Sequence, residues 1–126
     1  VINIDNDARV ARTEERETTR LGMRWISKPM SAFSSPSDSQ VDELLAFLQD
    51  DSLFTIFLHC KHGQDRTGMV FGLYRVLFQQ WTAKQAYREM LDIGFHPELT
   101  ALDRFFKRRA GYRGLLLFTD SLASSL

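Results

Sequence analysis

The chain has 126 residues, 44% hydrophobic and 25% charged, which are ordinary proportions for one soluble globular domain with a single core. Sixteen basic and sixteen acidic side chains cancel, so no overall field recruits nucleic acid or an anionic membrane, and any attraction for an anion is local. One cysteine excludes an internal disulfide framework, and no apolar run approaches the roughly 20 residues of a membrane span.

Val1-Ile2-Asn3-Ile4 opens the chain without Met and in a β-branched pattern, as a strand met partway along. Residues before Val1 are therefore expected in the native protein, and any signal peptide would lie among them. The compartment stays open between cytoplasm and periplasm or exterior. A turn over Asn3 to Asn6 leads to a charged, largely solvated helix over Ala8 to Leu21, with Glu14, Glu15, Arg16, Glu17 and Arg20, closed by Gly22. Met23-Arg24-Trp25-Ile26 gives a second strand. Ser27 to Ser35 holds Pro29 and four serines without periodicity, a surface loop suited to wall or lid a site.

Ser35-Pro36-Ser37-Asp38 reads as a helix start with Ser35 at the cap, and Val41, Leu44, Leu45 and Leu48 follow at amphipathic spacing. Leu53 to Leu58 is a short apolar run expected as a buried strand, and Thr67 to Gln79 is apolar nearly all round, as in a buried helix. Thr82 caps a helix whose inner face is Ala83, Ala86, Tyr87, Met90 and Leu91, closed by Gly94. His96-Pro97-Glu98 begins the last helix, with Leu99, Leu102, Phe105 and Phe106 inward. Its other face, Arg104, Lys107, Arg108 and Arg109, is either solvated near the helix C-terminus or turned to an anionic partner. Gly114 onward is a tail of the same single domain, 1–126. Strands alternating with helices predict an α/β fold with a largely parallel sheet flanked by helices, and such sheets bind ligands at the carboxyl ends of strands.

One such end carries His59-Cys60-Lys61-His62-Gly63-Gln64-Asp65-Arg66-Thr67-Gly68. The first N–H groups of the following helix have no partner within it and carry positive partial charge, which suits a phosphate. Gly63 lets the loop wrap tightly, and Arg66 offers a planar fork that matches two phosphate oxygens. The same field favours a thiolate at Cys60, whose ordinary pKa is about 8.5. Thr67 is placed to hydrogen-bond the sulfur or assist its departure. The other reading of a lone cysteine is an inert buried one.

His-Cys-x5-Arg-Thr-Gly resembles the signature loop of the protein tyrosine phosphatase superfamily. The resemblance runs from the first strand to about Arg109, and it implies a compact phosphatase fold and two-step hydrolysis without metal or other cofactor. In that chemistry Cys60 is the nucleophile, Arg66 and the loop amides hold the phosphate oxygens, and His59 orients the loop. Many members carry a general acid about thirty residues before the cysteine. Here Lys28-Pro29-Met30-Ser31-Ala32-Phe33 holds no acid. Two aspartates are left: Asp65, whose Asp-Arg-Thr context is similar to myotubularin-type and Sac-type loops, as acid or as brace for Arg66; and Asp38, as acid or as helix cap.

Lys61 and His62 occupy the variable loop positions and, with Gly63, Gln64, Asp65, Arg66 and Lys28, are the expected substrate contacts. Lys61 and His62 can both be cationic, which suits further phosphates on a substrate, and Cys-Lys-His-Gly-Gln-Asp-Arg-Thr-Gly, preceded by a Trp-containing strand and a Pro-Met loop, is similar to small bacterial tyrosine-phosphatase-like phytases, which implies inositol polyphosphates. The alternative is a protein tyrosine or dual-specificity phosphatase acting on phosphoproteins, with Phe33 and Trp25 as the available aromatic wall. A reading of another class is a non-catalytic phosphate-binding module. The expected partner is thus a small phosphorylated substrate or a phosphoprotein, with no nucleic acid, and the expected state is a monomer.

Overall fold

Three short parallel strands align their carboxyl ends on one edge, and the segments that follow them there line the candidate site. The computed structural model describes residues 1–50, 56–61 and 64–111. The strands are β1 (Ile2–Asn3), β2 (Ile26–Ser27) and β3 (Leu58–His59), in the order β2-β1-β3. Ile2 pairs with Ile26 on one side and with Leu58 on the other. Beyond the paired residues the ladder continues toward the site, with Ile4 N–H donating to the His59 carbonyl at 2.9 Å and Met30 N–H to the Ile4 carbonyl at 3.0 Å. The parallel sheet expected from the alternation of elements is present. The paired part of β3 lies at the end of the expected 53–58 run, and residues 53 to 55 lie outside the described residues, as does the tail from Gly114.

Five helices are described: α1 (Ala8–Arg20), α2 (Asp38–Leu48), α3 (Arg66–Phe78), α4 (Ala83–Ile93) and α5 (Thr100–Ala110). Asp7 caps α1 by accepting from the N–H groups of Arg9 and Val10, and Gly22 follows its end at a φ of +77°. Thr82 and Gln85 form a reciprocal capping box on α4, which ends at Gly94 with a φ of +115°. Two expected starts shift. The cap of α2 is Ser37, not Ser35, because Gln40 three residues on returns its side chain to the Ser37 N–H. α5 begins at Thr100 rather than at His96, since residues 96 to 99 form a turn closed by Leu99 N–H on the His96 carbonyl.

α3 is the hub, packing against α2, α4 and α5. Met69, Val70 and Leu73 are fully buried, together with Val41, Leu44, Met90, Leu102 and Phe106 from the three neighbours. Close approach is possible because Gly72 has no side chain: a Cβ there would lie 2.7 Å from Met90 Sδ and 2.9 Å from Phe106 Cε1. The apolar pattern of α3 overstates its burial, however. Phe71, Leu77 and Phe78 remain exposed, since three neighbours cover only part of the helix. The basic face of α5 is largely neutralised: Lys107 pairs with Asp103, Arg108 with Asp38, and Arg109 with both Asp38 and Asp42.

Candidate active site

Cys60 follows β3 directly and is buried, and Arg66 opens α3 six residues later. The guanidinium is only 8% exposed. Its Nη1 donates to the Met30 carbonyl at 2.8 Å and to Asn6 Oδ1 at 3.1 Å, with Asp5 Oδ1 at 3.6 Å. These three acceptors come from the segments after β1 and β2, so the parallel sheet itself gathers them around the arginine. Asn3 contributes indirectly, because its Oδ1 accepts from Asp5 N–H at 2.7 Å and fixes the turn that delivers Asp5 and Asn6. One edge of the fork is thereby anchored. Arg66 Nε on the other side is buried and has no partner among the described residues, an arrangement that calls for a bound anion.

The start of α3 is left open by the same geometry. Asp65 occupies the cap position but makes no side-chain bond to the helix. Its carboxylate instead accepts from His96 N–H at 2.8 Å, and His96 Nδ1 lies 3.0 and 3.2 Å from its two oxygens. The α4–α5 connection is thus seated on the residues that lead into α3. Gly94 seals the contact, since a Cβ there would fall 2.8 Å from Gln64 Nε2. The partner this geometry gives Asp65 is His96, which neither sequence reading of Asp65 named.

His59 is held on both sides. Nδ1 lies 3.1 Å from the Cys60 carbonyl, and Nε2 lies 2.6 Å from Glu14 Oε2 of α1, a close polar contact in which the ring nitrogen is not aligned for a directed hydrogen bond. Glu14 is itself fixed by Trp25 Nε1, which donates to Oε1 at 2.9 Å, and Phe57 stacks on the imidazole. Trp25 therefore serves the His59 side. It is absent from the described lining of the cleft. Thr67 Oγ1 is buried without a partner, so the expected bond to the cysteine sulfur is not formed here.

A cleft of about 750 Å³ opens over this constellation, lined by Asp5, Asn6, Asp7 after β1, Ala32 and Phe33 after β2, Lys61, Asp65 and Arg66 of the loop, and His96, Glu98 and Leu99 before α5. Phe33 stands at its rim, 85% exposed. His62 and Gly63 lie outside the described residues. Two other expected site residues sit elsewhere. Lys28 pairs with Glu43 of α2 at 3.0 Å. Asp38 is clasped by Arg108 and Arg109, and the hydrogen bond from Arg108 chiefly holds its carboxyl below the usual carboxylate range. Asn6, Glu14, Met30 and His96 were not singled out by sequence reasoning. The pairing of His96 with the loop has no local signal.

A buried cysteine at a strand end, an uncapped helix start and a buried arginine in its first turn come together at the carboxyl edge of a parallel sheet, which makes the chain an α/β domain with the elements of an anion site. Residues 3–105 match the family model described as "DSP-PTPase phosphatase fused to NAD+ Kinase", and the chain belongs to that family, within the cysteine-dependent protein tyrosine phosphatase superfamily. It is 33% and 35% identical, over 82 and 77 residues, to the dual specificity protein phosphatases TpbA of two strains of Pseudomonas aeruginosa. Those stretches cover 59% and 60% of this chain and 38% and 35% of the relatives, so the chain matches little more than a third of their length. The crystal structure of P. aeruginosa TpbA superimposes with a TM-score of 0.65 at 25% identity, covering 85% of this chain and 65% of that one.

Proposed function

We propose that the chain hydrolyses phosphomonoesters through a cysteinyl-phosphate and acts as a dual-specificity-type protein phosphatase. The observation that carries the chemistry is the buried, unpartnered Nε of Arg66 at the floor of the cleft, beside an uncapped helix start and one loop away from Cys60. The Cys60 thiolate attacks phosphorus, an S–P bond forms as the ester P–O bond breaks, and water then displaces the sulfur. Arg66 and the opening N–H groups of α3 hold the equatorial oxygens. His59, fixed by Glu14, sets the Cys60 backbone.

Charge around the cleft favours a protein substrate over inositol polyphosphates. Asp5, Asp7, Asp65 and Glu98 share the lining with Arg66, Lys61 and His96. A hexakisphosphate would carry its remaining phosphates toward those carboxylates, at a cost that Lys61 beside them offsets only in part. A phosphorylated side chain brings one phosphate to Arg66 and an apolar stem or ring to exposed Phe33. The dual-specificity description of TpbA supports the same choice. The inositol polyphosphate expectation, drawn from Lys61 and His62, has the weaker support.

The test is phosphate release by the reduced protein from phosphotyrosine and phosphothreonine peptides, run beside inositol hexakisphosphate. Release from the peptides is expected. Release from the inositol substrate alone overturns the substrate reading, and full activity in Cys60→Ser overturns the nucleophile. Binding without turnover on any substrate would favour the phosphate-binding module.

A further inference from the structure

We infer that His96, on the connection between α4 and α5, is the proton donor to the leaving oxygen, with Asp65 as the carboxylate that holds its ring. This rests on the phosphatase reading above. The loop where an acid is usual, Lys28 to Phe33, has none, so the donor must come from another wall of the cleft.

Four carboxylates and one imidazole among the described residues of the cleft are candidate donors, and the contacts separate them. Asp5 is buried, and its Oδ1 is engaged twice, lying 3.6 Å from Arg66 Nη1 and accepting from Asp7 N–H at 3.3 Å. Asp7 caps α1, and the N–H of Arg9, then that of Val10, hold its carboxyl below the usual carboxylate range. Asp65 turns both oxygens to one residue, accepting from His96 N–H and facing His96 Nδ1. Glu98 lines the cleft but has no hydrogen bond or ion pair among the described residues to aim it.

His96 is aimed. Its backbone N–H and its ring Nδ1 engage the same carboxylate, so main chain and imidazole are fixed together. Pro97 restricts the backbone at His96 further. With Nδ1 committed to Asp65, Nε2 is the remaining polar atom of a ring that lines the cleft and is 55% exposed. Asp65 adjoins Arg66, the phosphate anchor, and Gly94 holds the connection against Gln64 of the same loop. A carboxylate that orients one nitrogen of an imidazole while the other faces the reacting group is the arrangement general acid–base catalysis uses.

The two steps balance with this donor. In the first, the Cys60 S–P bond forms, the ester P–O bond breaks, and the leaving oxygen takes its electron pair and the proton from His96 Nε2. In the second, a water O–P bond forms, the S–P bond breaks to release the thiolate, and the water's proton goes to His96 Nε2.

The experiment is kcat/KM over a series of phosphate monoesters, from activated nitrophenyl phosphates to phosphotyrosine and phosphoserine peptides, for wild type, His96→Gln, Asp65→Asn and Glu98→Gln. His96→Gln should lose about 10²-fold or more on the poor leaving groups and under about ten-fold on the activated ones, because only the former need protonation. Asp65→Asn should steepen the same dependence to a smaller degree. Equal losses on both kinds of ester, or steepening in Glu98→Gln rather than His96→Gln, overturns the proposal. Circular dichroism of each variant separates loss of fold from loss of the proton donor. Wild-type protein inert toward even nitrophenyl phosphate would instead refute the phosphatase reading itself.

Discussion

Replacing Arg66 by lysine tests the site at its centre. The guanidinium does two jobs at once: Nη1 reaches Met30 O and Asn6 Oδ1 at 2.8 and 3.1 Å, and the opposite edge, including the unpartnered Nε, is left for the substrate phosphate. A lysine ammonium is a point charge on a flexible stem. It can keep an inner contact or meet the phosphate, but it cannot present a planar pair of donors while anchored behind. Two charge-assisted hydrogen bonds to the transferring group are lost, each worth about 1.5–3 kcal/mol, or about 3–6 kcal/mol together. At 1.36 kcal/mol per decade that is a fall of about 10²–10⁴ in kcat/KM. The assay is nitrophenyl phosphate hydrolysis under reducing conditions, with inhibition by inorganic phosphate as a binding readout and circular dichroism as the fold control. Activity within about five-fold of wild type, with phosphate inhibition intact, would refute the assignment of Arg66 as the phosphate anchor.

Gly72→Ala pushes a methyl group against Met90 Sδ and the buried Phe106 ring, so despite alanine's better helix propensity it should lower stability by about 1–2 kcal/mol in urea unfolding; an unchanged midpoint would contradict the close α3 packing. Glu14→Ala leaves Trp25 Nε1 and His59 Nε2 without their shared carboxylate and should cost about 1–3 kcal/mol in the same assay, whereas Glu15→Ala on the exposed side of α1 should cost little. Asp7 and Asp38 both have carboxyls lowered in the folded state, so their stabilisation is complete above the unfolded value of about 4 and fades as pH falls through the folded values. The stability gap between wild type and Asp38→Asn should accordingly shrink between pH 6 and pH 3; a gap that grows would mean that Arg108 and Arg109 do not favour the anion.

Much of this protein is written locally. A strand, a Cys-x5-Arg loop and a helix are contiguous in the chain, so their order and the phosphate chemistry they support follow from residue types at fixed spacing. Caps behave alike: Thr82 at the start of α4 and Gly94 at its end satisfy backbone groups within four residues and were legible for that reason. At the start of α2 the same logic misplaced the cap by two residues, because Ser35 and Ser37 are both good caps and only the return bond from Gln40 decides between them.

What tertiary structure alone decided is which distant groups meet. Asn6 and the Met30 carbonyl reach Arg66 across 60 and 36 residues, and His96 reaches Asp65 across 31. No periodicity encodes such pairings; they depend on how β1, β2 and the α4–α5 connection dock around α3, and a backbone carbonyl is invisible to residue identity altogether. Docking also removed Lys28 and Asp38 from the site, since each found an opposite charge on a neighbouring helix, Glu43 for one and Arg108 with Arg109 for the other. The sequence by itself determined the strand, the Cys-x5-Arg spacing and the helix that follows, because these residues are neighbours along the chain. The wall of the cleft, its balance of charge and the partner of Asp65 were decided only when packing brought separate segments to the carboxyl edge of one parallel sheet.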